Sequence, residues 1–409
     1  GSQTALETEL EVVELLRRRL DATATPPVRV IPVNNNAKAM FDPEVLSGPN
    51  MLAFQEGDQE AWLASIDPET GLFNAPFGYE HRLTDDGTPL AETNNGPEFG
   101  VDAAGWAVFL GLGTGEEKRI WRATLDGDAI TRTPITRPDA PSGGMLVSRD
   151  TATPTTNLVY LRGTAPLADM YWANEADGLD EQYVAPWIKG DIWAWWMPGN
   201  TDLLFNRFDS NGHLQLALLN TATGESRNIT SDDADKELTI AWRAPEVDDD
   251  TLIAAVVDET LLRIYRETAP DTWTPLYDLP VPAASNYPAF GSPEPFVYRG
   301  RSFFCFNTGP FDGVTPTPGE IWLMEMNPDA QARIELRVDD GAPDIGRGDP
   351  EFYLGANDGY VFYNTGTEAR GRHVVRAQTG LADIVPLPGE EGEDPPEGTT
   401  EGEPAAEAN

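Results

Sequence analysis

The chain reads as an all-β fold, a seven-bladed β-propeller of four-stranded blades with a short N-terminal α-helix. Three observations predict it. One strand pattern recurs seven times, at spacings of roughly 45–57 residues, close to the period of propeller blades. Each recurrence is punctuated by turn chemistry, in a chain with 38 glycines and 35 prolines. Helical periodicity is missing between residues 26 and 390.

Taken in order, the ends come first. "TALETELEVVELLRRRLDA" sets Leu6, Leu10, Val13, Leu16 and Leu20 at helical spacing, with Glu early and Arg late as the helix dipole prefers. Residues 1–25 are therefore expected to be a helix and linker, packed on the propeller's side or serving as an oligomerising segment. "VRVIPV" (28–33) is a candidate closing strand for the last blade. Residues 26–388 hold the seven units. Their apolar strands begin near residues 51, 106, 157, 202, 251, 302 and 359, and each leads to a second strand. Runs such as "WAVFLGLG" and "SFFCFNTG" suit strands buried between neighbouring sheets. Asp-Pro, Asp-Gly, Thr-Gly and Asn-Pro suit the hairpin turns. One such sheet cannot bury both faces alone, and radial stacking of about seven solves that. Residues 389–409 are acidic, rich in Pro and Gly and nearly free of apolar residues, so a disordered tail is expected.

The units "DLLFNRFDSNGHLQLALLNTATGESRNITSDD" and "GPEFGVDAAGWAVFLG" resemble the blades of TolB-type propellers. Those blades carry a polar lead-in, an apolar strand and a second strand ending near Leu-Thr. The resemblance covers about 330 residues and implies a fold; it carries no activity across.

Composition narrows the partners. The formal net charge is −40, with four lysines against 24 arginines. Such a field repels nucleic acid and anionic membranes, and no run of about 20 apolar residues offers a membrane helix. An acidic, Lys-poor surface fits a salty habitat; a coding bias toward Arg gives the same composition. The single cysteine, Cys305, sits in Phe303-Phe304-Cys305-Phe306 and reads as a buried, inert thiol. The expected setting is secreted, periplasmic or cell-surface.

Pro-Glu recurs ahead of five of the apolar strands, at Glu44, Glu98, Glu246, Glu294 and Glu351. The offset predicts the start of the innermost strand, where Pro needs no ladder donor. These carboxylates are either scaffold, bonded to a neighbouring blade or an Arg, or a ring at the channel mouth. Like charges that close cannot all ionise unless a cation or Arg joins them. If a metal does so, oxygen-only ligands favour Ca²⁺. The third and fourth units lack Pro-Glu. The fourth instead concentrates Trp187, Trp193, Trp195 and Trp196, and the third contributes Trp172. These tryptophans are either inter-blade core or a stacking platform for a glycan or peptide. Because Trp195 and Trp196 are adjacent, a strand would point them to opposite faces.

Two enzymatic readings stand beside binding. Tyr79, His81 and Arg82 in "FGYEHRL" have the residue types for acid–base work on a uronic acid, as in propeller-type polysaccharide lyases. Two of the glutamates would suit glycoside hydrolysis. The favoured expectation is a ligand-binding propeller that holds a glycan or extended peptide on one face; the alternative is a carbohydrate-active enzyme.

Overall fold

A computed structural model describes residues 13–16, 27–32 and 40–387, apart from 58–59, 74–79, 86, 92–95, 103–104, 151–155, 165–167, 175–179, 187–193, 310–317 and 368–370. The strands form seven antiparallel sheets. Blade 1 comprises Met40–Leu46, Met51–Glu56, Glu60–Ser65 and His81–Arg82. Blades 2 and 3 open with Glu98–Asp102 and Ser142–Val147. Blades 4, 5 and 6 open with Ala194–Trp196, Lys236–Ala244 and Phe290–Tyr298. Blade 7 runs through Gly346–Leu354, Gly359–Thr367 and Gly371–Gln378. The second strands begin at Met51, Gly105, Asn157, Asp202, Asp250, Arg301 and Gly359, within one residue of the positions expected from the repeats.

Seven clusters of buried side chains hold the ring, and each lies between two adjacent blades. Between blades 2 and 3, for example, Phe109 and Ile120 meet Val147 and Tyr160. Between blades 6 and 7, Phe303, Cys305 and Leu323 meet Val361, Tyr363 and Val375. The last cluster joins Tyr353, Tyr360 and Phe362 of blade 7 to Leu52 and Phe54 of blade 1, so the stack is circular. This is why the strands carry near-continuous apolar runs: both faces of every sheet are covered. Cys305 is fully buried in this packing, with its Sγ 3.3 Å from the Pro350 carbonyl of blade 7.

Closure comes from the N-terminal side. Pro27–Pro32 lies antiparallel to Gly371–Gln378, with Val30 opposite Ala377, and supplies the fourth strand of blade 7. The helix expected over residues 6–20 falls mostly outside the described residues. The four described within it are a correction: Val13–Leu16 form a fifth strand, pairing with Pro27–Val30. Pairing along this edge satisfies backbone groups that a sheet edge leaves open. The remaining helical segments among the described residues are single 3-10 turns. None is long and apolar enough to cross a membrane. The acidic tail lies outside the described residues.

The inner strands share a local device. In blades 1, 6 and 7 the register shifts just before Glu44, Glu294 and Glu351. The residue two before each glutamate has positive φ: Asp42 at 58°, Ser292 at 40° and Asp349 at 56°. This is a β-bulge, which locally breaks pairing and re-aims a side chain. Pro fills the next position because no ladder donor is needed there. In these three blades Pro-Glu therefore marks a bulge that turns a carboxylate toward the axis, whereas Glu98 of blade 2 follows its Pro without a register shift.

Candidate functional site

Counting back seven or eight residues from the start of each second strand gives Glu44, Glu98, Arg149, Trp195, Arg243, Glu294 and Glu351. Four carboxylates, two guanidiniums and one indole thus occupy equivalent places around the ring. Arg149 reaches across it. One of its nitrogens, Nη2, donates to Glu44 Oε2 at 2.9 Å and to Glu98 Oε2 at 2.7 Å, and its guanidinium lies 5.8 Å from the Trp195 ring centre. Glu98 is 1% exposed and Glu44 7%, so the carboxylates of this cluster are buried, while the Arg149 side chain is half-buried at the cavity.

Beside it opens a cavity of about 420 Å³. Its lining comes from blades 1, 3, 4, 5, 6 and 7, through residues of the inner strands and the turns after them, such as Val45, Arg149, Trp195, Trp242, Glu294 and Phe352. Only a space on the propeller axis touches the inner strands of six blades. Trp195, Trp196, Trp242, Phe296 and Phe352 form an aromatic wall, in which Phe296 and Phe352 stack at 3.6 Å between ring centres. The indoles are fixed by hydrogen bonds. Trp195 Nε1 donates to the Ala241 carbonyl at 2.9 Å, and Trp242 Nε1 to Ser302 Oγ at 3.0 Å.

The electrostatics follow from one fixed cation among four carboxyls. Burial pushes Glu44 and Glu351 well above the usual carboxylate range; Arg149 pulls Glu44 down but only in part, and Glu294 raises Glu351 further. Burial likewise pushes Glu294 up to about 7, against the pull of Arg149. One layer along, burial and neighbouring Asp349 raise Asp42, although Gln55 Nε2 donates to it at 2.7 Å. Arg149 remains charged, because the surrounding carboxylates outweigh its desolvation.

A pH prediction follows. Carboxyls raised in the fold stabilise it fully below their ordinary value near 4.5, and that contribution is lost as pH rises through the folded value, about 7 for Glu294. Glu294 alone should contribute roughly 2 kcal/mol to this loss, discounted because the group is only half-buried. Thermal melts at pH 5 and pH 8 should show the protein less stable at the higher pH, with a shallower dependence in E294Q. A melting point that is flat or rises across this window would contradict the raised values.

The other expected residues are placed as follows. Glu246 is a correction: it lies on a 3-10 turn after the inner strand of blade 5, exposed, accepting from Ser302 Oγ at 2.9 Å. It stands four residues before its second strand, where the ring glutamates stand seven or eight. Trp195 and Trp196 do point to opposite faces. Trp196 packs toward blade 3, edge-on to Trp172 at 6.3 Å, and Trp195 packs toward blade 5. Trp172 is inter-blade core, so of these three Trp195 and Trp196 reach the cavity. Trp187, Trp193 and Tyr79 lie outside the described residues. His81 and Arg82 form the outermost strand of blade 1, with Arg82 3.3 Å from Glu60; the structure keeps them apart from the axis. Arg149 was not singled out by sequence. Its signal was positional: "SGGMLVSRD" puts it eight residues before Asn157, the offset of the Pro-Glu carboxylates.

The fold is that of a seven-bladed β-propeller, and solved propellers are similar to it. Oligogalacturonate lyase from Vibrio parahaemolyticus is 12% identical, with a TM-score of 0.52 over 90% of this chain and 98% of its own. A puromycin-hydrolysing peptidase from Mycobacterium tuberculosis is 13% identical, also with a TM-score of 0.52, over 83% of this chain. This chain spans about half of that peptidase, 52% of its length. TolB from Acinetobacter baumannii is 12% identical over 64% of this chain and 60% of its own, with a TM-score of 0.37. At such identities the likeness is one of fold. No protein-family model matches the sequence, and no curated protein does.

One oligogalacturonate lyase is known in complex with manganese. The ring here does not suit a resident divalent cation. A guanidinium already holds Glu44 and Glu98, and among the described residues no group of three or more His, Cys, Asp or Glu gathers as metal ligands do.

Proposed function

We propose that the chain is a ligand-binding propeller that holds a segment of a glycan or extended peptide in its axial cavity. The observation that carries this reading is the pairing of an aromatic wall with buried, ionisable groups in one concave space of about 420 Å³. Small-ligand sites combine apolar walls with a few convergent polar groups in this way. Trp195 supplies a ring face for sugar or peptide, while Glu294, Glu351 and Arg149 supply donors and acceptors. The setting inferred for it is exported or cell-surface.

A second reading has its own observation. Glu294, with its carboxyl near 7, can hold a proton at neutral pH as a general acid must, and Glu351 lines the same cavity. Both readings meet one experiment. The protein is screened on glycan and peptide arrays, and each captured ligand is then incubated with it and analysed for cleavage. Binding without turnover is expected, and Trp195→Ala should weaken it about tenfold, the order of one lost aromatic contact. Cleavage abolished by E294Q would establish the enzyme instead. Capture that Trp195→Ala leaves intact would remove the axial cavity as the site.

A further inference from the structure

We propose that the axial cavity selects a primary ammonium group, carried by the N-terminus of an extended peptide or by an amino sugar, and holds it against Glu294 and Glu351 beside Trp195. The inference rests on the ligand-binding reading above and narrows it.

Charge and hydrogen-bond donors are out of balance around the ring. A single nitrogen of Arg149 serves both Glu44 and Glu98. Glu294 and Glu351 also line the cavity, and neither side chain accepts a hydrogen bond or ion pair from any described residue. Glu351 is only 6% exposed. A buried carboxyl without donors is costly, by about 1–3 kcal/mol or more, so the site favours a guest that brings donors. A primary ammonium brings three on one compact charge.

The walls agree. Trp195 already faces a guanidinium, and indole faces attract cations. A carboxylated guest such as a uronic acid would meet Glu294 and Glu351 in the lining, while Arg149 is already engaged by Glu44 and Glu98. At the rim, Arg243 lies 3.7 Å from Asp150, so these two charges largely offset each other. A cavity of this size admits one terminal residue or sugar ring and excludes a folded domain. The raised carboxyls supply a linked signature. Burial first, and neighbouring carboxyls second, raise them; an arriving ammonium lowers them again, so binding releases protons.

The test is calorimetric titration at neutral pH, in salt sufficient to screen surface charge, in two buffers of different ionisation enthalpy. Four probes are used: a glucosamine oligomer, its fully N-acetylated twin, a short alanine peptide with a free N-terminus, and the same peptide N-acetylated. At least one free-amine probe should bind with proton release, and its acetylated twin about tenfold or more weaker. Whichever amine binds identifies the source. E351Q and E294Q should each weaken binding about tenfold, whereas D248N, which removes an exposed charge on the turn after the fifth inner strand, should not. Acetylated twins that bind as well as the amines, with loss in Trp195→Ala, would overturn the ammonium inference and leave the binding site standing. A D248N effect equal to that of E351Q would overturn it too, as diffuse attraction by the acidic surface. Failure of all four probes, or binding indifferent to Trp195→Ala, would bring down this inference and the reading beneath it together.

Discussion

A chain begun at residue 34 is expected to lose at least about 3 kcal/mol of stability and to self-associate. Residues 27–32 provide the outer partner for Gly371–Gln378 in the blade that joins the two ends of the ring. Their removal leaves blade 7 with three strands, all from the C-terminal side. Each lost backbone hydrogen bond contributes about 0.5–1.5 kcal/mol. The strand left at the edge then offers a row of unpaired N–H and C=O groups to other chains. A native domain of this kind holds only about 5–15 kcal/mol in total, so a loss of this size is severe. Urea unfolding and size-exclusion chromatography check it. A truncated chain that stays monomeric with an unchanged midpoint would mean that the circle is held by the blade 7–blade 1 side-chain cluster alone.

Replacing Arg149 by Met should cost about 3–5 kcal/mol at pH 8, the range for breaking a buried ion pair from one side. Glu44 and Glu98 would keep their burial and lose the donor they share. The loss should shrink toward pH 5, because carboxyls held well above their ordinary value, as Glu44 is, can take up protons there. Adding E44Q and E98Q to the Met variant should restore part of the stability, since neutral amides need no counter-charge. Arg149→Lys should recover less than this triple change, because a lysine ammonium is more strongly hydrated than a guanidinium and costs more to bring into the cluster. Denaturant titrations of the four proteins at both pH values give the comparison. An Arg149→Met protein as stable as its parent at pH 8 would show that the guanidinium does not hold the ring together.

The fold was legible because every blade repeats the same physical demand. Both faces of each sheet are covered, so the apolar runs are continuous and the turns between them regular, and the unit starts could be read to within a residue. The site was half legible. Pro-Glu marks a re-aiming bulge at Glu44, Glu294 and Glu351, and four of the five glutamates it pointed to face the axis. Glu246 does not, because its Pro begins a 3-10 turn after the strand; the shorter gap to Asp250 was the available signal. Arg149 escaped notice because its unit has no Pro-Glu, although its spacing matched. The cavity itself was not readable, since it arises where six inner strands converge and no single unit encodes it. The N-terminal segment misled for another reason: leucines at helical spacing describe an isolated amphipathic stretch, and the open edge of blade 7 recruits Val13–Leu16 as strand.

Cys305 gives the circle a built-in clock. The lone thiol is wedged where two neighbouring blades meet, 3.3 Å from the Pro350 carbonyl, and burial raises it well above its ordinary value. An alkylating reagent can reach it only when those two blades part. Its labelling rate therefore counts how often the closed annulus breathes open, without any engineered reporter.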